Sequence, residues 1–196
     1  MVANPSTLHL YTLEEYFALE NVGDARYEYW DGEIVCMSGG TLNHSAIAMN
    51  IAYRLRSKLA GGPCRVFGSD LPIRTPTAPP YRYPGVSVVC GEPRVETIHG
   101  AETLLNPTII IEVLSPSTES RDRGGKFIAY LQLPTFMEYL LVSQDTPHVT
   151  HHIRQHEDAW LVKELGGPGA QVQLASLGCE LSLAEIYEGV SFAQPK

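Results

Sequence analysis

No stretch of this 196-residue chain approaches the run of about 18 apolar residues that suggests a membrane span. No two of its four cysteines (Cys36, Cys64, Cys90 and Cys179) form a C-x-x-C pair. Nothing at the N-terminus resembles a secretory signal. These absences lead us to expect reduced thiols in a cytoplasmic protein with no membrane contact. An excess of positive charge is also missing. Lys and Arg number 14 against 22 Asp and Glu, for a net charge of −8, which argues against a generic nucleic-acid coat. There is no internal repeat and no long linker, so one domain over 1–196 is expected.

What is present is unevenly spread. Ten of the 14 basic residues lie between Arg54 and Lys126, against seven acids there. The first 33 residues hold seven acids and only Arg26. A local basic face and an ordinary solvated surface both fit this distribution.

Local patterns predict a mixed fold. Thr12, with Glu15 three positions on, is a capping-box signature for a short helix at 12–19. Alternating residues around Asp31-Gly32 predict a tight hairpin over 26–37. A long helix is expected over 41–59, with His44, Ala48, Ile51, Ala52, Leu55 and Leu59 on one stripe and Gly61-Gly62-Pro63 ending it. Strands are expected at "CRVFG", "LPIRT", "VSVVC", "TIIIEVL" and "FMEYLLVS". Residues 75–85 read as a loop or edge segment, and 91–107 as irregular. A helix follows at about 122–133. A hairpin over "HVTHHIRQHEDAWLVKEL", a last strand at "QVQL" and a short helix capped by Ser182 with Glu185 complete the chain. The fold class is α/β or α+β.

The informative stretch is "TIIIEVLSPST", residues 108–118. It reads as a strand buried on both faces, yet it contains Glu112. Carboxylates are rarely buried unless something pairs with them. The following helix brings Arg121, Asp122, Arg123 and Lys126 close in sequence. Phosphodiester hydrolysis needs such an arrangement. A carboxylate such as Glu112 would hold a divalent cation, and a cation such as Lys126 would orient the water and stabilise developing charge. The plain alternative is a structural ion pair of Glu112 with Lys126 or Arg123.

The blocks "YEYWDGE", "NHSAIAMNIAYRL", "YRYPGVSVVC", "IIIEVLSPSTESRDRGGKFIAYLQLPTFMEYLLV" and "LGCELSLAEIYEG", in this order, resemble a cyanobacteria-rich family of restriction-endonuclease-like proteins. That family belongs to the PD-(D/E)xK nuclease superfamily. The resemblance spans about residues 10–190 and is most specific in the "EVLSPST…DR…K…Y" block. It implies a restriction-endonuclease-like mixed sheet flanked by helices, with hairpins near both ends. It also implies a magnesium-dependent (or manganese-dependent) endonuclease acting on DNA, and often a homodimer. By the same resemblance Glu112 is the second motif acid and Lys126 the motif lysine, moved onto the helix because Leu114 fills the usual position. Glu28 matches an acid of the first hairpin, and His44 a histidine opening the long helix.

One departure stands out. The family's first metal-binding acid follows a proline, and here the sequence is Tyr83-Pro84-Gly85. Three readings follow. The protein is a catalytically impaired nucleic-acid- or protein-binding module, another acid such as Asp70 or Glu28 stands in, or the chain is a variant of a parent with Asp there. Restoring Asp at residue 85 is expected to tighten magnesium binding. Glu28 and His44 also have plain readings, as a solvent-facing strand residue and a hydrogen-bonded boundary histidine. His148, His151, His152 and His156 do not match zinc spacings, and Trp30 and Trp160 read as packing anchors.

Overall fold

The structure is a computed structural model, and it describes residues 9–22, 25–37, 40–167 and 169–192. Two compact units divide the chain, Met1–Gly39 and Gly40–Lys196.

The first unit holds helix α1 (Leu13–Val22) and the hairpin β1 (Tyr27–Trp30) and β2 (Glu33–Cys36). The Thr12 and Glu15 side chains bond each other's backbone N–H, so the capping box forms. Asp31 and Gly32 turn the hairpin with φ of 47° and 96°. Both values are positive, as a type I′ turn requires. Tyr16 is buried, and its hydroxyl donates to the Tyr27 carbonyl.

The second unit begins with helix α2 (Leu42–Lys58), whose N-terminus is capped by the Thr41 side chain accepting from His44 N. Ile47, Ile51 and Leu55 form its buried stripe, flanked by Ala48, Ala52 and Leu59. Ile47 was absent from the sequence-derived stripe, although it sits one turn before Ile51.

Ten strands follow: β3 (Cys64–Phe67), β4 (Ile73–Arg74), β5 (Tyr81–Arg82), β6 (Val86–Cys90), β7 (Val95–Ile98), β8 (Ala101–Leu104), β9 (Ile109–Leu114), β10 (Glu138–Ser143), β11 (His148–His156) and β12 (Ala159–Gly166). The main sheet has the order β12-β11-β10-β9-β6-β3. Only β9 and β10 run parallel within it. A parallel pair needs a crossover. Here the crossover is the three-residue turn α3 (Glu119–Arg121), a π-helical turn (Asp122–Lys126) and α4 (Phe127–Leu131). A smaller sheet, β5-β4-β8-β7, and the hairpin of β13 (Gln171–Leu174) and β14 (Cys179–Ser182) complete the strands. Helix α5 (Leu183–Ile186) carries the expected Ser182–Glu185 capping box.

Because strand side chains alternate between faces, β9 feeds two cores. Ile109, Ile111 and Val113 pack in the cluster that contains Ile47, Ile51 and Leu55 of α2. Ile110 and Leu114 pack with Tyr130, Phe136 and Tyr139. Glu112 has the parity of Ile110 and Leu114, so it faces the crossover side.

Three expectations change. Residues 91–107 are not irregular, since β7 and β8 pair across a His99-Gly100 turn. The last region is a hairpin rather than one strand, because "CELS" pairs with "QVQL". Cys64 and Cys90 are not free thiols. They stand directly opposite on β3 and β6 and form a disulfide that does not include Cys36 or Cys179. Facing positions in an antiparallel ladder bring the two sulfurs together, and a gap of 26 residues in sequence gives no hint of it.

Candidate metal-dependent phosphodiesterase site

Gly85 precedes β6, and its place is set by the register that pairs Val86 with Ile111. Glu112 is the next residue along β9. Its Oε2 accepts the Gly85 N–H at 3.0 Å. Residue 85, where the resemblance implies an acid, therefore lies against Glu112 and offers a backbone amide.

The crossover supplies the rest. Lys126 ends the π-helical turn, and its Nζ donates to Glu112 Oε1 at 3.2 Å and to the Tyr83 carbonyl at 2.8 Å. The same nitrogen lies 3.2 Å from Asp122 Oδ1. Asp122 opens that turn four residues earlier, a spacing that sets two side chains side by side on a helix. Its Oδ2 accepts from Thr118 Oγ1, and its backbone carbonyl accepts from the Tyr139 hydroxyl. π-helical turns are rare and recur at functional sites. Glu112, Asp122 and Lys126 are 5%, 2% and 1% exposed.

His44 completes the group. Burial pushes its imidazole below the ordinary histidine value. A hydrogen bond with the Val113 backbone and the charge of Asp122 pull the other way, and Lys126 adds to the lowering. The imidazole is therefore neutral at pH 7. With one nitrogen engaged by the Val113 backbone, the other is an acceptor.

The second unit thus brings together Glu112, Lys126 and His44, and adds Asp122, which in the sequence alone reads as one charge of a helix turn. The available signal was its four-residue spacing from Lys126. Glu28 lies in the first unit. It is buried there on β1, not solvent-facing, and accepts from Trp30 Nε1 at 3.1 Å. Arg123 pairs with Glu119 and reaches Thr150, so it is not the partner of Glu112 that spacing allowed.

The hairpin histidines are used otherwise. His151 meets Glu138 at 2.6 Å, His148 pairs with Glu164, and His152 packs on Phe127. An open hollow of about 700 Å³ lies by Leu131, Pro134, Arg154 and Trp160, and no group of the site lines it. Among the described residues no three His, Cys, Asp or Glu side chains are grouped to hold a metal.

The donor set around Lys126 nevertheless fits a hard divalent ion. Two carboxylates and a carbonyl already surround one cation there. Magnesium needs only one or two carboxylates, with waters and substrate phosphates filling its octahedron.

Comparison with known proteins agrees with this architecture. A crystal structure described as a "putative nuclease belonging to DUF820" from Anabaena variabilis superposes with a TM-score of 0.69. It shares 21% identity and covers 90% of this chain and 97% of its own. The fold is therefore the restriction-endonuclease-like one, a mixed α+β arrangement with several sheets and few helices. Two uncharacterized proteins of Synechocystis sp. are 35% and 30% identical. The first match covers 91% of this chain and 92% of the relative, the second 87% and 96%. Residues 13–184 match the Uma2 family, described as "Putative restriction endonuclease". The chain belongs to that family.

Proposed function

We propose that the protein is a metal-dependent endonuclease that hydrolyses phosphodiester bonds in DNA, with magnesium or manganese as its ion. The observation that carries this reading is the Lys126 ammonium set between Glu112 and Asp122, beside the position where the family carries its first acid. Glu112 would hold the ion, which supplies Lewis-acid stabilisation of the scissile phosphate.

The remaining roles fall to the chain itself. Lys126 carries a fixed positive charge in a dry setting, where it stabilises charge that develops on phosphate oxygens. Neutral His44 has an acceptor nitrogen with which to orient the attacking water or take its proton. The Gly85 N–H and the Lys126 ammonium fix the orientation of Glu112. Glu28, buried and held by Trp30, is kept as a site acid on the resemblance alone.

The proposal treats residues 1–196 as one nuclease domain in the cytoplasm, working as a homodimer. Support for the single domain is that the family match over 13–184 spans both compact units. No helix among the described residues is long and apolar enough to cross a membrane.

The test is a supercoiled-plasmid nicking assay with magnesium or manganese, with Lys126→Ala as control. Nicking by the starting protein, lost in the variant and in chelator, supports the reading. A second reading has its own observations. Gly85 supplies no acid, and the three charged groups are covered, so a phosphate reaches them only if their cover moves. A catalytically impaired member would bind DNA or a protein without cutting. DNA retention in a mobility-shift assay, with no nicking in either metal, would favour it.

A further inference from the structure

Resting on that reading of the site, we infer that Asp122 supplies the second carboxylate of the cation site, in place of the acid missing at residue 85. Lys126 Nζ stands between the two carboxylates, 3.2 Å from each. Three observations converge. Asp122 is buried at 2% exposure, with one carboxylate oxygen fixed by Thr118 and the other 3.2 Å from Lys126 Nζ. That nitrogen lies equally far from Glu112 Oε1 and closer still to the Tyr83 carbonyl. Two carboxylates and a carbonyl thus converge on one point of positive charge, a donor set suited to a hard ion.

The third observation is that the position facing Glu112 is closed to a side chain. A Cβ on Gly85 would stand 2.9 Å from the Ile111 carbonyl oxygen, a backbone atom of the central strand, so the backbone would have to shift. An acid at residue 85 therefore cannot enter this arrangement without a backbone shift. Asp122 meets the same ammonium as Glu112 does.

A buried ammonium between two carboxylates competes with any ion that needs those oxygens. Ion binding is therefore weak in the starting protein, and removing the ammonium strengthens it. Electron paramagnetic titration with Mn2+ alone reads this without any cleavage. The expected result is weak binding by the starting protein. Asp122→Asn should weaken it by more than the roughly 10–100-fold seen for groups that only orient ligands. Asp70→Asn should leave it unchanged, because Asp70 is the rival stand-in.

Lys126→Met keeps the side chain's volume and removes the charge. It should bind Mn2+ more tightly than the starting protein, and its melting temperature should rise on adding Mn2+. Should Asp122→Asn fail to fold, Lys126→Met decides alone. The proposal is overturned if the starting protein takes up no Mn2+ at millimolar concentration, if Asp70→Asn and not Asp122→Asn abolishes uptake, or if Lys126→Met binds no more tightly. A protein that binds Mn2+ through Asp122 yet nicks no DNA leaves this inference standing and removes the nuclease. Nicking that survives Asp122→Asn with Mn2+ uptake intact does the reverse.

Discussion

At the residue scale, Lys126 decides whether two acids can stay buried. Its removal leaves Glu112 and Asp122 covered without their shared cation. Breaking a buried pair in this way costs about 3–5 kcal/mol. Lys126→Ala should lower the urea midpoint by that equivalent with an unchanged slope. A midpoint within error of the starting protein would show the ammonium to be dispensable. Tyr139→Phe tests the support beneath Asp122. It removes a buried 2.8 Å hydrogen bond to the Asp122 carbonyl, so a loss of about 0.5–1.5 kcal/mol is expected by the same measurement. Gly85→Asp should destabilise rather than repair, because its Cβ meets the Ile111 carbonyl. The sequence suggested repair because a motif records which residue is missing and says nothing of the space left for it. Glu112 and Lys126 were legible, since a carboxylate in an apolar strand demands a partner and a lysine stood on the next helix. Asp122 was not, because one acid among Arg121, Arg123 and Lys126 reads as ordinary helix charge.

At the element scale, the crossover between β9 and β10 is built from three short helical turns, and the middle one is π-helical. Gly124 lies in it, with nothing beyond its own turn within 4 Å of where a Cβ would stand and no positive φ. Gly124→Ala should therefore stabilise by about 0.4–1 kcal/mol, by restricting the unfolded chain. A loss of stability would mean that the turn needs glycine's freedom. Elements with strong local chemistry were legible: the Asp31-Gly32 hairpin, both capping boxes and the all-buried β9. Elements whose strands owe their form to a neighbour were not. In β7, Val95, Glu96 and Thr97 are all exposed, so no burial pattern announces a strand. β14 is held by its register with β13.

At the scale of the whole molecule, Glu138 ties the main sheet to the segment after β13, accepting from His151 and from Ser176 N. Burial is the largest single influence on Glu138 and raises its carboxyl. The hydrogen bonds from His151 and Ser176 together outweigh it, so the carboxyl titrates below the ordinary value. A carboxyl depressed in the folded state contributes stability above its unfolded value of 4.5, and that contribution is lost as pH falls through the folded value. Melting temperature should thus drop on acidification below about pH 4.5, and Glu138→Gln should flatten that part of the profile. An unchanged acid limb in the variant would assign the loss elsewhere. The sheet order also sets what must be in place before the charge cluster can assemble. Lys126 rides on the connection between the two parallel strands, and the lysine is held against Glu112 only while that connection lies over the sheet. A growing chain that has not yet made β10 has Glu112 but nothing to clamp its partner there. The half-synthesised protein therefore has no assembled charge cluster until β10 closes the sheet.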